Sequence, residues 1–431
     1  MEYQNWWYLS LLWVSNNIDI CPTLEQDITT DYLIIWWGVA WLHAAQQLIK
    51  KKCSVTLIEK SICGWGMSGR SGWFLTPDSE LGLRQIEETY GAKLAKKIRT
   101  YGSDGQQSIV KNITHHDLHC DLRQEDSLLL GLWASWKKAV KTEHTDRKKF
   151  WLTSELIDAD SLKEHNSWKC YTAGVRYTDC YAINPMQYCQ ELKQQLIKQW
   201  VKCYEFTHVH GLEKHYARTN LWWITFKKAI ICAWKAEEDI FPGHAKHTYG
   251  IQNYITISEP LHRSQVMEMM PSGDCMCRDT NLVFTYYRLT GDRRIVLWWG
   301  TPISSFQPRN IFHAATISWV LSSFKKTFPA LSHVEFPHYR SGRIEASKDL
   351  MPLIGPSQRF DNHIRVQGAV WLPRAAACGR FATEMMHDEA DKELEKVFSY
   401  NRAFTYPRMT NNLLLKPFLF GVSNAKAMGM F

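Results

Sequence analysis

The chain has 431 residues, 45% of them hydrophobic and 22% charged, enough to bury large cores in two or three domains and too apolar for a disordered chain. Lys plus Arg is 51 and Asp plus Glu is 43, for a formal charge of +8. That mild excess suits an anionic ligand or a scattered basic surface. With no basic stripe interleaved with aromatics, no nucleic-acid partner is expected. The 12 cysteines include no CxxC pair, so a zinc site is not expected and reduced thiols in a cytoplasm are. The apolar stretch 1–13 is too short to cross a bilayer and lacks the positive flank of an export signal. No later apolar run reaches about 18 residues, so no membrane partner is expected.

Asp31 to Ile35 is short, apolar and β-rich, and reads as a buried parallel strand. From Ala40 to Lys52 the pattern is helical, with Leu42, Ala45, Leu48 and Ile49 on one face, and Lys50, Lys51 and Lys52 at the end where cations suit the dipole. Ser54 to Ile58 is a second buried strand, and it ends on Glu59. A strand, turn, helix and strand closing on an acid make a dinucleotide-binding unit. The helix start, at Gly38, Val39 and Ala40, offers N–H groups to a diphosphate, and Glu59 accepts from ribose hydroxyls. The alternative for Glu59 is a solvated strand end.

The turn departs from the G-x-G-x-x-G spacing: positions 36, 38 and 41 are Trp36, Gly38 and Trp41. Composition is skewed the same way. There are 20 tryptophans and only 23 glycines, so glycine is about 5% against a usual 7% or so.

Lys60 to Trp73 follows the acid directly as K-S-I-C-G-W-G-M-S-G-R-S-G-W. Here the sequence resembles the D-amino-acid-oxidase-like superfamily of FAD-dependent oxidoreductases, whose members follow the ribose acid with a G-x-G-A-S-G-R-N-G-G type of segment. Gly64, Gly66, Ser68, Gly69, Arg70, Ser71 and Gly72 match in register, with Met67 for a small residue and Trp73 for a glycine. The resemblance implies that this segment, with Lys60 at its head, lines the FAD diphosphate and flavin, through exposed backbone amides and the polar groups of Ser68, Arg70 and Ser71.

Further matches cover most of the chain. Thr207 to Glu213 and Trp222 to Trp234 look like the family's middle hairpin, which implies that Val209 passes the adenine through its backbone. Asn281 to Gly300 reads as a hairpin turning at Thr290-Gly291-Asp292, with Leu282, Phe284 and Tyr286 on one side. It resembles the sheet that roofs the flavin. Asp349 to Gly355 resembles the approach to the last FAD-domain strand. Ile364 to Gly379 resembles the closing strand-to-helix turn, with Gly368, Leu372 and Pro373 near the flavin. The closest likeness within the superfamily is to the γ-glutamylputrescine oxidoreductase group. Trp36, Trp41, Trp73, Trp234, Trp298, Trp299 and Trp371 stand where glycine is expected, and Arg340 and Arg374 where tryptophan or another large apolar residue is.

The expected fold is α/β plus α+β: a discontinuous Rossmann-like FAD-binding domain with an interleaved antiparallel-sheet substrate domain. An extension (1–27) precedes FAD-binding parts at 28–105, 181–240 and 337–431, the last including a tail, with substrate-domain parts at 106–180 and 241–336. Residues 80–113 read as helical, and so do 184–201 after Pro185. The implied reaction is oxidation of a C–N bond in an amine or amino-acid-like substrate by hydride transfer to flavin N5, with oxygen or another acceptor reoxidising the flavin. No acid–base pair is singled out. Tyr286 and Arg288 are candidates to hold a substrate carboxylate, with hairpin packing as the alternative. Two other readings stay open: a non-catalytic relative that has lost FAD through the tryptophans, and another nucleotide-dependent enzyme such as an NAD dehydrogenase or a methyltransferase.

Overall fold

A computed structural model describes residues 18–36, 38–72, 74–78, 81–166, 171–231, 247–273, 275–280, 286–300 and 313–404. In chain order its elements are β1 (Ile28–Ile35), α1 (Val39–Lys50), β2 (Val55–Ile58), β3 (Phe74–Leu75), α2 (Leu83–Tyr90), α3 (Ala92–His116), β4 (Arg123–Gln124), β5 (Ser127–Leu132), α4 (Trp133–Lys149), β6 (Glu155–Ile157), α5 (Ala159–His165), β7 (Tyr171–Tyr177) and β8 (Tyr181–Ala182). Then come α6 (Pro185–Lys198), β9 (Lys202–Tyr204), β10 (Gly211–Leu212), β11 (Tyr216–Arg218), β12 (Trp223–Ile231), β13 (Thr248–Ile257), α7 (Arg263–Met269), β14 (Met276–Asp279), β15 (Tyr286–Leu289), β16 (Ile295–Gly300), α8 (His313–Thr327), β17 (His338–Ser347), β18 (Leu353–Pro356), β19 (His363–Gln367), α9 (Leu372–Met386) and α10 (Lys392–Phe398).

The first sheet runs β10-β11-β12-β1-β2-β9, with β19 on the far half of β12 and β18 on β19. β1 is parallel to both β2 and β12, and β19 is parallel to β12. Strands buried on both faces read as continuous apolar runs, and β2, Val-Thr-Leu-Ile, is buried at all four positions. One face carries α1, α3, α6 and α9 over a core that includes Leu42, Leu48, Ile98, Ile109 and Phe381. A separate cluster holds Leu33, Ile35, Trp36, Val209 and Phe226 with Leu212 of β10 and Ala217 of β11. Gly379 of α9 meets the backbone of Ala40 so closely that a Cβ would collide with it, and Gly105 of α3 meets Pro373 in the same way. These two glycines bring α9 down onto α1 and α3.

The second sheet runs β17-β13-β16-β15-β14-β5-β7-β6. Its pairs are antiparallel except β5 with β14, which is where the two insertions into the first sheet's fold join. Its buried core lies against α7 and α8, with Phe324, Phe328 and Phe336 stacked edge to face or tilted. The fold is therefore a Rossmann-like parallel sheet with helices plus a largely antiparallel sheet, as the sequence implies. Two details differ from the reading of local pattern. The helix expected over 80–113 is broken at Gly91, whose φ of 77° ends α2 and starts α3. That α3 then runs through 105–106, where the sequence reading divides two domain parts. Trp73, Trp234, Leu282 and Phe284 lie outside the described residues.

Candidate active site

The register of the first sheet builds the site. Ile35 pairs with Ile58 on one side and Ile231 on the other, so the carboxyl ends of β1, β2 and β12 finish level. Ligands of open parallel sheets sit just outside such ends. The residues delivered there are Trp36 and Glu59, joined by the bond from the Trp36 amide to the Ile58 carbonyl at 2.8 Å.

Glu59 is buried, and its Oε1 accepts the Ser61 amide at 2.9 Å. Its backbone is fixed by bonds to Tyr204 and Thr207, so the acid is a positioned group and not a frayed strand end. Lys60 is exposed, with its ammonium 5.6 Å from the centre of the Trp36 ring. Val209 is fully buried in the same apolar cluster as Trp36.

Helix α1 starts from Gly38 in an extended conformation, with no side-chain cap on its N-terminus. The Val39 amide donates to Ser68 Oγ at 3.0 Å. Ser68 lies so close to Gly38 that a Cβ at 38 would collide with its hydroxyl. Thus Gly38, Val39 and Ser68 meet, while Ala40 is buried against α9.

The segment after the acid is a tight loop. Gly64 has φ 76°, and a Cβ there would stand 2.8 Å from Cys189 on α6, so both conformation and space require glycine. The Gly69 amide closes on the Gly64 carbonyl at 3.0 Å, and the Ser71 amide on Ser68 at 3.3 Å. Gly66 is exposed with open space around it. Arg70 lies over the Trp65 ring at 4.7 Å, and burial lowers its pKa. Gly72 faces Tyr286, whose ring takes the space a side chain at 72 would need. Cys63 is fully buried, and burial pushes its thiol well up, which disfavours the thiolate.

Gly368 has φ 65° and packs on Ser347. It turns β19 toward α9, where Leu372 and Pro373 are buried in the first turn. Proline there suits a position whose N–H has no helical partner. Trp371 is the helix's N-cap, in an extended conformation with no side-chain cap bond.

Tyr286 is half-buried. It stacks on Trp298 at 4.5 Å and 10°, and meets Phe74 edge-on at 4.8 Å. Tyr286 therefore comes together with the glycine-rich loop. Arg288 lies two residues further along the same strand. It is fully buried, its Nε donates to the Leu289 carbonyl at 2.9 Å, and its guanidinium lies 4.0 Å from the Glu125 carboxylate. The closer partner of that carboxylate is Arg123, at 2.6 Å.

Two polar clusters escaped sequence reasoning. Asp78, just after β3, binds Arg147 at 3.1 Å and Arg278 at 2.9 Å, with Arg147 3.8 Å over the Tyr177 ring. Burial would raise the Asp78 carboxyl, but the two guanidiniums hold it below its ordinary value. The second cluster, Lys193 with Glu205, ties down the start of the loop through Cys63. Their members lie far apart in sequence, and no local spacing marks them.

Among the described residues no group of His, Cys, Asp or Glu could hold a metal ion, and no helix is long and apolar enough to cross a membrane. The described cysteines are all free.

A dinucleotide needs a ribose acid, an open helix N-terminus and a close backbone loop. Glu59, Gly38 with Val39, and Gly64 to Gly72 fit those needs. A side chain at 38 would have to displace the Ser68 hydroxyl. Trp36 is the residue that does not fit.

These features are those of a dinucleotide-binding fold, and comparison with known proteins gives the family. The chain belongs to the FAD dependent oxidoreductase (DAO) family, whose model matches residues 31–385. It is 23% identical over 385 residues to the γ-glutamylputrescine oxidoreductase of Escherichia coli (strain K12), covering 86% of each chain. It is 24% identical over 354 residues to the probable oxidoreductase OrdL of Haemophilus influenzae, covering 80% of this chain and 79% of that one. Among solved structures, glycine oxidase from Bacillus cereus superposes with a TM-score of 0.70 at 13% identity, over 85% of this chain and 97% of that one. L-proline dehydrogenase from P. horikoshii gives 0.69 at 16%, over 86% and 97%. The cofactor of this family is FAD.

Proposed function

We propose that this protein oxidises a C–N bond of a small amine or amino-acid-like substrate. The observation that carries the reading is the contact of Tyr286, from the second sheet, with Gly72 of the loop that follows the ribose acid. It sets the face of one sheet against the cofactor segment of the other. The named relatives and neighbours, a γ-glutamylputrescine oxidoreductase, a glycine oxidase and an L-proline dehydrogenase, support the same substrate class.

In this reading Glu59 holds the ribose hydroxyls, and Lys60 and Val209 flank the adenine side. The start of α1 at Gly38, Val39 and Ala40, with Ser68, Gly69, Arg70 and Ser71, lines the diphosphate seat. Gly66 and Gly72 keep the backbone close to the cofactor, and Gly368, Leu372 and Pro373 set the α9 N-terminus beside the flavin. FAD, when bound, supplies the two-electron acceptor for the hydride leaving the carbon beside nitrogen, and oxygen or another acceptor then takes those electrons. Tyr286, Phe74 and Trp298 form an aromatic wall that orients the substrate and excludes water from the reacting carbon. Tyr286 and Arg288, two residues apart on that strand, are the candidates to hold a substrate carboxylate. The chain's interleaved parts, 28–105, 181–240 and 337–431 around 106–180 and 241–336, follow from the same reading.

The test is a visible spectrum of purified protein before and after excess FAD, followed by an amine screen with peroxide and artificial-acceptor detection. A bound flavin reduced by an amine supports the reading. A folded protein that takes up FAD but is reduced by no amine overturns the substrate class. One that takes up no FAD overturns the enzyme reading.

A further inference from the structure

Among the described residues, ten that are not glycine have positive φ, and three of these are tryptophan: Trp36 at 69°, Trp151 at 55° and Trp200 at 70°. Asp117, Asp121 and Asp388 are in the same group, and a short polar side chain can compensate by bonding locally. An indole has no such compensation, and a bulky residue in this region is an outlier.

Two of the three sites favour glycine from local geometry, although Lys52 and Asp388 hold the same position at two other helix ends. At the end of α6 the Trp200 amide donates to Ile197 at 2.9 Å and the Val201 amide to Leu196 at 3.1 Å. At the end of α4 the Trp151 amide donates to Lys148 at 3.0 Å and the Leu152 amide to Arg147 at 2.9 Å. Each pair of bonds is a Schellman motif, with the tryptophan at the left-handed position that glycine normally holds. Val201 and Leu196 are both buried, supplying the apolar contact that accompanies the motif. The indoles themselves do little: Trp200 is 91% exposed and Trp151 is 77% exposed, with only Lys96 placed over its ring. The third site, Trp36, is the first residue of the strand-to-helix turn, where a dinucleotide fold uses glycine for the tight turn.

Two helix ends and a nucleotide turn are unrelated demands, and the same pair of residue types is exchanged at all three. A single cause at the level of decoding accounts for them together. We propose that positions 36, 151 and 200 are glycine in the protein as its own cell makes it, because a codon that other genetic codes read as tryptophan is read there as glycine. The overall balance of 20 tryptophans to 23 glycines leans the same way. Trp41 and Trp371 sit in helical and extended conformations open to any residue and take no part in the inference. One consequence, which rests on the FAD reading above, is that glycine at 36 empties the space between Lys60 and Val209 and opens the start of α1 to a diphosphate.

The test is peptide mass spectrometry on the protein isolated from its source cells. Glycine masses at 36, 151 and 200 are expected, and a tryptophan mass at any of the three overturns the proposal. A second measurement uses recombinant protein. Trp151→Gly and Trp200→Gly are each expected to raise Tm by about 1–2 °C in a chain of this length, and a fall in Tm on either substitution counts against the geometric argument. Neither readout involves flavin, so both outcomes are separate from the success or failure of the enzyme reading. Trp36→Gly, titrated with FAD, then reports on the nucleotide seat alone.

Discussion

The Lys193 ammonium lies 3.2 Å from Glu205 Oε1, and both side chains are fully buried. The pair joins four segments. Glu205 accepts the amides of Cys21 and Cys63, each at 2.7 Å, and Lys193 donates to the Asp19 carbonyl at 2.5 Å. It thereby anchors α6, the chain before β1, the head of the glycine-rich loop and the segment after β9 to one point. Removing one partner leaves an uncompensated buried charge, which costs about 3–5 kcal/mol. Glu205→Ala and Lys193→Met should each lose stability of that order in urea unfolding. The double variant Lys193→Met/Glu205→Leu should recover a large part of it. A double variant no better than the sum of the singles would show that the pair acts through something other than its charges.

His43 links stability to pH. It is fully buried on α1, bonded to the Tyr188 hydroxyl at 2.8 Å and to Ser108 at 3.3 Å. Burial first, then the nearby Arg380 and Lys50 charges, push its pKa down to about 3 from 6.5. The folded value lies below the unfolded one, so the unfolded chain binds the proton first. The stabilisation is complete above pH 6.5 and is lost as pH falls toward 3, at about 1.4 kcal/mol per pH unit. Denaturation midpoints between pH 7 and 5 should fall more steeply for the parent than for His43→Gln. Parallel slopes would mean His43 is not the group responsible.

Glu59→Ala should weaken FAD binding by about 10- to 100-fold, the range for hydrogen bonds to a charged acceptor, while Glu59→Gln should retain part of the affinity. Flavin fluorescence titration reads this directly. Equal Kd values for parent and Ala variant would remove Glu59 from the nucleotide site.

Tyr286→Ala removes the ring stacked on Trp298 and leaves space above Gly72. KM for the amine should rise by about 3- to 10-fold, the scale of an aromatic contact, with flavin content unchanged. A fall in flavin content with KM constant would place Tyr286 on the cofactor side instead.

Gly72→Ala sets a methyl group against the same ring. Overpacking of this kind costs about 1–3 kcal/mol, seen as a lower unfolding midpoint. Adding Tyr286→Ala to Gly72→Ala should restore the midpoint, because it removes the atom that clashes. No recovery in the double variant would locate the strain in the loop backbone.

The sequence by itself determined the parts of this protein that are local. β1, α1 and β2 are written as apolar runs with one periodic helix between them, and Glu59 follows at a fixed distance along the chain. The β15–β16 hairpin turns at Thr290 to Asp292 as read, because Thr290 accepts and donates across its own turn to Arg293 and Arg294. The break between α2 and α3 was legible only as a glycine. That Gly91 takes φ 77° and does not continue the helix depends on what each helix packs against. Tertiary structure decided the rest. Tyr286 and Arg288 lie on the same side of one strand, yet one meets the glycine-rich loop and the other meets Glu125, because different segments cross that strand at its two ends. Lys193 with Glu205 and Asp78 with Arg147 and Arg278 are likewise ion pairs that only folding brings together. Buried charges take whichever partner the fold delivers, since leaving water unpaired costs them more than any local preference can offset.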